Sequence, residues 1–377
     1  MNSRRFPRLV LAGMVALPAF CAPVMANPSL LFDLKTGKVL EHRDAFKRWY
    51  PASLSKLMTA YVTFRAIDAG DVRLDSPIKV TKHSAAEPPS KMGFKPGQVM
   101  RLDNAMKMML VKSANDIAMA IGENVGGSQA AFAERMNAEA QRLGMTGSHF
   151  VNPNGLFSTE QYTTARDLGL LVMAIRNEYP QYASWFSIEG LALGKRTIPN
   201  YNLLVGRYPG ADGMKTGFVC ESGFNQIGSA TRNGRTLVAV VLGEQTAITR
   251  AEVAAKLLDQ GFAIPTSAAT TVAALPSYGD AVSENNMREE LCSKKPASAQ
   301  SEAPVVAAKP KSPYQVKLVA PTLVAVSLGG ATGPLPKAMV GKVEYADVPT
   351  PSWRPDRPSP FGEDAVAAQG DQSAKGL

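Results

Sequence analysis
Three short patterns follow one another along the chain, Ser53-Leu54-Ser55-Lys56, Ser113-Ala114-Asn115 and Lys215-Thr216-Gly217, and the segments around them limit the fold more sharply than any bulk property. Each pattern alone is weak, because 377 residues hold about one Ser-x-x-Lys and about one Ser-x-Asn by chance. Ser76-Pro77-Ile78-Lys79, Ser283-Glu284-Asn285 and Lys35-Thr36-Gly37 repeat the same spellings, so local context has to separate the two sets. Ser53 follows Pro51 and opens a run in which Leu57, Met58, Tyr61, Val62 and Phe64 recur at helical spacing. That spacing predicts a helix start, with Lys56 one turn on over the same face. Ser76 precedes a proline, which disfavours helix for the residue before it, and its segment reads as extended. Lys35-Thr36-Gly37 lies between two strand-like runs as a hairpin turn. Ser283 stands in a polar segment with no core-forming pattern. Lys215 follows Gly210-Ala211-Asp212-Gly213 and leads into apolar stretches that suit an inner strand of an antiparallel sheet.

The remaining segments predict an α+β domain. Leu30 to Leu40 reads as a first hairpin, Ser53 to Ala66 as the helix just described, and Asp103 to Val111 as a helix ending before Ser113. Met106 and Met109 there serve as adaptable packing. Asn115 or Asp116 is expected to cap the next helix, and Ser128 another that runs through Phe132, Met136 and Leu143 to Gly144. Gln226 to Ala230 and Thr236 to Leu242 read as strands joined at Asn233-Gly234, and a helix over Ala251 to Leu258 closes the domain. Strands at both ends with helices between them predict an antiparallel sheet flanked by helices. After Ile264 the composition shifts to Ala, Ser, Pro and Lys. The expected division is a signal peptide at 1–26, a catalytic domain at 27–263, a linker at 264–313 and a Pro/Ala-rich extension at 314–377. That extension is expected to be mostly disordered, with strand character at Tyr314 to Val326.

The amino terminus reads as an export signal: Arg4, Arg5 and Arg8, an apolar run from Leu9 to Phe20, and Val24-Met25-Ala26 before the cleavage point. Phe20 is too bulky for lipoprotein processing at Cys21, and the Arg4-Arg5 pair leaves the export route open. The net charge of +9 falls by three when this leader departs. No Lys/Arg run with interleaved aromatics follows, which argues against a nucleic-acid partner. A mild basic excess is compatible with acidic wall polymers or with peripheral contact at anionic lipid. With Cys21 lost, Cys220 and Cys292 remain in an oxidising compartment, and a disulfide between them is expected.

The flanking phrases carry the comparison further. Pro51-Ala52-Ser53-Leu54-Ser55-Lys56-Leu57-Met58-Thr59, Ser113-Ala114-Asn115-Asp116, Asn152-Pro153-Asn154-Gly155-Leu156, Thr164-Ala165-Arg166-Asp167-Leu168, Asp212-Gly213-Met214-Lys215-Thr216-Gly217 and Leu257-Leu258-Asp259-Gln260-Gly261-Phe262 together resemble the serine-type D-alanyl-D-alanine carboxypeptidases, the low-molecular-mass penicillin-binding proteins. The resemblance spans roughly Leu30 to Phe262 and implies a penicillin-binding/β-lactamase-like transpeptidase domain. It also implies a periplasmic enzyme that removes the terminal D-Ala from peptidoglycan stem peptides and is inhibited by β-lactams. D,D-endopeptidase action on cross-links and a catalytically silent wall-binding role are the alternatives. A β-lactamase is disfavoured, because Glu160 lacks the surroundings of a deacylating loop carboxylate. No cofactor is implied, and no His/Cys/Asp/Glu set has metal-ligand spacing.

Within that resemblance each site residue has a separate task. Ser53 is the nucleophile, and an alcohol attacks an amide carbonyl only when a base takes its proton. His42, His83 and His149 are placed by no pattern, so Lys56 is the base, helped by burial and by a neighbouring cation, Lys215. Ser113 passes a proton toward the leaving amine, and Asn115 bonds the substrate backbone. The oxyanion donors carry over to the backbone N–H groups of Ser53 and Phe218, the latter at a position where relatives often have His. Lys215, Thr216 and Gly217 line the substrate strand. Lys215 and Thr216 grip the terminal carboxylate, with Arg250 as a further candidate.

Overall fold
The structure, a computed structural model, describes residues 27–265, 270–279, 286–293, 303, 307 and 309–341. The expected signal peptide, the Ser283 pattern and the chain beyond residue 341 lie outside the described residues. Strands β1 (Ser29–Asp33) and β2 (Val39–Arg43) form the first hairpin. Its turn is Lys35-Thr36-Gly37, with Gly37 at φ 68° and Thr36 bonded through both its N–H and its hydroxyl to the Asp33 carboxylate. The second Lys-Thr-Gly is thus a turn.

The helical half follows: α1 (Ser55–Asp68), β3 (Pro77–Lys79), α2 (Lys82–Ala86), β4 (Val99–Arg101), α3 (Leu102–Lys112), α4 (Asn115–Gly126), α5 (Gln129–Arg142) and α6 (Ala165–Glu178). After a small hairpin, β5 (Gly190–Leu193) and β6 (Arg196–Pro199), the chain returns as β7 (Ala211–Val219), β8 (Gly223–Arg232), β9 (Arg235–Glu244) and α7 (Ala247–Ala263). The main sheet is ordered β2-β1-β9-β8-β7 and is antiparallel throughout.

Strand β9 shows why this sheet needs cover on both faces. Leu237, Ala239 and Val241 pack toward α7, while Val238, Val240 and Leu242 join the other core with α1 and α6. The alternation is the two-residue period of a strand with neither face in water. Helix α1 is buried on all sides from Ser55 through Phe64, as befits a helix at the centre of a domain. Met106, Met108 and Met109 fill the same core without exposure.

Four expectations need correction. Strand β7 is an edge strand, not an inner one; its sequence reports two covered faces and says nothing of its free edge. Neither Asn115 nor Asp116 caps α4, whose N-cap position is Ala114 with no side-chain bond. Asp116, one residue inside the helix, accepts from one first-turn amide, Ile117 N–H, at 2.9 Å and also from the backbone N–H groups of Met92 and Gly93. The stretch assigned to a linker pairs in part with the first hairpin, through Val39 N–H to Thr270 O and Val272 N–H to Gly37 O, and Val272 is fully buried. The extension assigned to disorder is ordered over its first part. Tyr314 packs beside Tyr208, and β10 (Leu323–Ala325) adds in parallel to β5. Farther on, Gly329 N–H reaches Val99 O at 2.7 Å, and Ser76 Oγ donates to Pro334 O at 2.7 Å. A Pro-rich segment has little core of its own, but unpaired strand edges elsewhere give its backbone partners. A short helix, α8 (Arg288–Leu291), is tied to the end of β7 by a Cys220–Cys292 disulfide.

Strand β7 is fixed in place through Asp212. Its carboxylate accepts from both terminal nitrogens of Arg176 on α6, each at 3.2 Å, and from the hydroxyls of Ser229 and Thr231. Burial pushes this carboxyl up, but Arg176 and the two hydroxyls outweigh it and hold the group below the ordinary aspartate range. A depressed carboxyl contributes stability above its unfolded-state value and loses it as pH falls through the folded value. Asp212→Asn is therefore expected to cost about 2–4 kcal/mol at pH 7, with the difference from wild type shrinking below about pH 4; urea unfolding at several pH values measures it.

Candidate active site
The turn that carries Ser53 is built before α1 begins. Ala52 to Leu54 form one 3-10 turn that runs directly into α1. Ala52 sits at φ 48°, a conformation that costs a residue with a Cβ about 1–2 kcal/mol. The neighbours enforce it. Asn225 Nδ2 donates to Tyr50 O at 3.0 Å and to Pro51 O at 3.3 Å. Gly155 and Gly217 press on the turn from two other elements. A Cβ on Gly155 would lie 1.8 Å from Ala52 O, and one on Gly217 would lie 2.9 Å from Ser53 N. Only glycine permits either approach.

Ser53 and Lys56 meet as the helical spacing predicts. Lys56 is fully buried, and its Nζ lies 2.9 Å from Ser53 Oγ, 2.8 Å from Asn115 Oδ1 and 2.5 Å from the backbone O of Asn154. Two of these partners are carbonyl oxygens that can only accept, and the third is a hydroxyl that can do either. A neutral amine has two N–H bonds and one lone pair. In the neutral form, an amine that keeps both N–H bonds on the carbonyls would present its lone pair to the Ser53 hydroxyl.

The second pattern bridges the first and third. Ser113 stands at the end of α3 with φ 61°, and its Oγ accepts from Lys215 Nζ at 2.9 Å. Two residues on, Asn115 holds Lys56 through Oδ1 while its Nδ2 donates to Pro88 O at 3.0 Å. Asn115 is thus part of the lysine's cradle, a role the sequence did not assign. Thr216 is 1 % exposed and its hydroxyl has no hydrogen-bond partner in the protein, which leaves a buried donor beside Lys215. Phe218 stacks on Phe224 with ring centroids 4.1 Å apart. Arg250 is fully buried and donates through Nη1 to Gly217 O at 3.1 Å and Asn225 O at 3.2 Å, so it braces the backbone of this strand. The histidines lie on other networks: His42 meets Tyr278, His83 meets Glu123, and His149 meets the carbonyl of the exposed Glu160.

Comparison with known proteins agrees with this geometry. The family described as D-alanyl-D-alanine carboxypeptidase, peptidase family S11, matches residues 17–246. The chain belongs to that carboxypeptidase family. It is 35% identical over 246 residues to D-alanyl-D-alanine carboxypeptidase DacC of Escherichia coli, covering 63% of this chain and 62% of that one. The corresponding DacF of Bacillus subtilis is 31% identical over 245 residues, with the same coverage. The match thus spans about 62% of the length of these curated relatives. Among solved structures, penicillin-binding protein 5 of Haemophilus influenzae superposes with a TM-score of 0.61 at 30% identity, over 63% of this chain and 71% of that chain. Penicillin-binding protein D2 of Listeria monocytogenes in its cefotaxime-bound form gives a TM-score of 0.58 at 31% identity, over 63% of this chain and 97% of that chain.

Two contributions to this carboxypeptidase-family site were missed in the sequence. The backbone O of Asn154 carries no side-chain signature, although the Asn-Pro-Asn-Gly phrase around it was noticeable. Asn225 reads as an ordinary strand residue, and only the packed structure reveals it as the brace of the Ser53 turn. Gly155→Ala is expected to fold with a loss of about 2–4 kcal/mol and to slow β-lactam acylation more than 100-fold, about 2.7 kcal/mol of barrier; thermal unfolding and a stopped-flow acylation assay check the two parts.

Proposed function
We propose that the protein is a serine D-Ala-D-Ala carboxypeptidase that releases the terminal D-Ala from peptidoglycan stem peptides through an acyl-enzyme at Ser53. The observation that carries this reading is the buried Lys56 amine, 2.9 Å from Ser53 Oγ and committed on its other sides to two carbonyls. Lys56 takes the Ser53 proton as Oγ attacks the scissile carbonyl. The backbone N–H groups of Ser53 and Phe218 receive the oxyanion, and the start of α1 adds a favourable dipole. The Ser113–Lys215 pair returns a proton to the departing D-Ala amine. The proton on Lys56 passes to the Ser113–Lys215 pair, which restores both groups. Water then cleaves the acyl ester: Lys56 takes a proton from the attacking water and gives it to Ser53 Oγ as that oxygen leaves.

Substrate recognition follows from the edge position of β7. An extended peptide can pair with its free backbone edge, and Lys215 with the Thr216 hydroxyl offers charge and a donor to a terminal carboxylate. A β-lactam carries an amide-like carbonyl and a carboxylate in the same relation and acylates the same serine. An exported, periplasmic enzyme acting on the cell wall is part of this reading. Among the described residues no helix is long and apolar enough to cross a membrane.

The test is D-alanine release from a bisacylated peptide ending in D-Ala-D-Ala. Wild type is expected to release it, and Ser53→Ala to lose at least about 10⁴-fold in kcat/KM, as removal of a nucleophile does. Folded wild type that releases none would overturn the carboxypeptidase reading.

A further inference from the structure
The scheme above gives the acyl half of the substrate no partner, although β7 sets the direction in which it leaves Ser53. With the terminal carboxylate at Lys215 and Thr216 and the scissile carbonyl at Phe218 N–H, an extended peptide continues past Phe218 toward Val219 and Cys220. The segment before Ser53 runs beside this same stretch. A Cβ on Gly217 would lie 2.9 Å from both Pro51 O and Ser53 N. Farther along, in the turn after β7, Ser222 O accepts from Trp49 Nε1 at 2.9 Å, and Ser222 N–H is tied back to Val219 O at 3.1 Å. Tyr50 therefore stands between the Ser53 turn and the end of β7, on the acyl side of the serine.

Trp49 is buried with its ring against Gly243, and its two neighbours turn the other way, as side chains on an extended segment do. Arg48 lies over the Tyr162 ring, 4.3 Å from its centroid. Tyr50, half-buried, meets Phe157 edge to face with ring centroids 5.0 Å apart. Phe157 is 40% exposed, and the loop that carries it is held firmly. Asn152 Nδ2 and Gln161 Nε2 donate to Leu156 O at 3.0 and 3.1 Å, and Leu156 N–H donates to Asn154 Oδ1 at 3.0 Å. The same loop supplies the carbonyl that holds Lys56 and the glycine that presses on Ala52, so Phe157 is registered to the reactive serine. A single exposed phenylalanine is ordinary on a protein surface. Here it pairs with a second ring, from the segment that leads into Ser53, on the path the acyl group takes.

We propose that Tyr50 and Phe157 form an apolar subsite for the acyl half of the substrate. It takes the hydrocarbon side chain of the residue that precedes the two D-Ala residues, or the apolar side chain of a penicillin. The proposal rests on the reading of Ser53 as the nucleophile. Two aromatic rings give an apolar group dispersion contact and remove it from water. That contact holds the acyl group along β7, where its carbonyl has to meet the N–H groups of Ser53 and Phe218. The pair stands on the side of Ser53 away from the departing amine, so it selects which acyl group is transferred and takes no part in moving protons.

The test compares acylation by two penicillins: benzylpenicillin, which carries a phenylacetyl group on its amino nitrogen, and aminopenicillanic acid, which carries none. Second-order rate constants are read by mass spectrometry of the intact protein in wild type, Phe157→Ala, Phe157→Leu and Tyr50→Ala. The ratio of the two constants cancels any general effect of a substitution on Ser53, Lys56 or the fold. It should fall about tenfold in Phe157→Ala and in Tyr50→Ala, the scale on which an apolar contact discriminates. Phe157→Leu keeps an apolar side chain, so its ratio should stay within about threefold of wild type. A Phe157→Ala ratio equal to that of wild type, including the case in which both constants fall together, would overturn the proposal. So would a ratio that falls as far in Phe157→Leu as in Phe157→Ala. Should Phe157→Ala fail to fold, a wild-type ratio in Tyr50→Ala would do the same. Wild type that forms no adduct with either penicillin would overturn the functional reading instead.

Discussion
Lys56 Nζ lies in the protein interior against Ser53 Oγ, Asn115 Oδ1 and the backbone O of Asn154, and each contact comes from a different part of the fold. Ser53 comes from the turn before α1, Asn115 from the start of α4, and Asn154 from the loop between α5 and α6. An amine buried without such partners would cost several kcal/mol, so these three segments cannot shift independently. Thr59, less than one turn along α1 from Lys56, bonds Pro153 O at 2.6 Å and fixes the loop to the helix. The local strain at Ala52 is tolerated because Asn225, Gly155 and Gly217 close around it from three other directions.

The sheet imposes a complementary constraint. Among the described residues strand β7 has one strand neighbour, and it is locked from behind by the Asp212–Arg176 pair and by Arg250 on the carbonyl of Gly217. An edge strand ordinarily invites unwanted pairing. Here the strand lies beside the Ser53 turn, where the proposed peptide substrate would have a use for its edge. The Cys220–Cys292 disulfide holds the described segment at 286–293 against the far end of the same strand.

What the sequence made legible was local. The Pro51-Ala52-Ser53 entry into α1, the Ser128 cap, the Gly37 turn and the Asn233-Gly234 hairpin, with φ 51° and 74°, each depend on residues a few positions apart. Assigning Lys56 to Ser53 was legible for the same reason. Less legible were features that depend on distant partners. The pattern of β7 reported burial on two faces, and an edge leaves no mark on that pattern. The part played by Asn154 belongs to a backbone oxygen, which every residue type shares. Asp116 is a good capping residue by type and does take one first-turn amide, that of Ile117, but it also ties the distant amides of Met92 and Gly93 to α4, which no local pattern shows. The Pro-rich segment after Pro310 has the composition of a disordered tail, whereas its order comes from the edges of β4 and β5.

On the proposed mechanism one serine, selected by the buried amine beside it, forms the covalent bond, and peptide mapping of a penicillin adduct by mass spectrometry decides whether it does. A single adduct on the peptide containing Ser53 is predicted, with Ser76 unmodified because its hydroxyl is already bonded to Pro334 O. An adduct at Ser76, or stoichiometric labelling that leaves Ser53 free, would contradict the account.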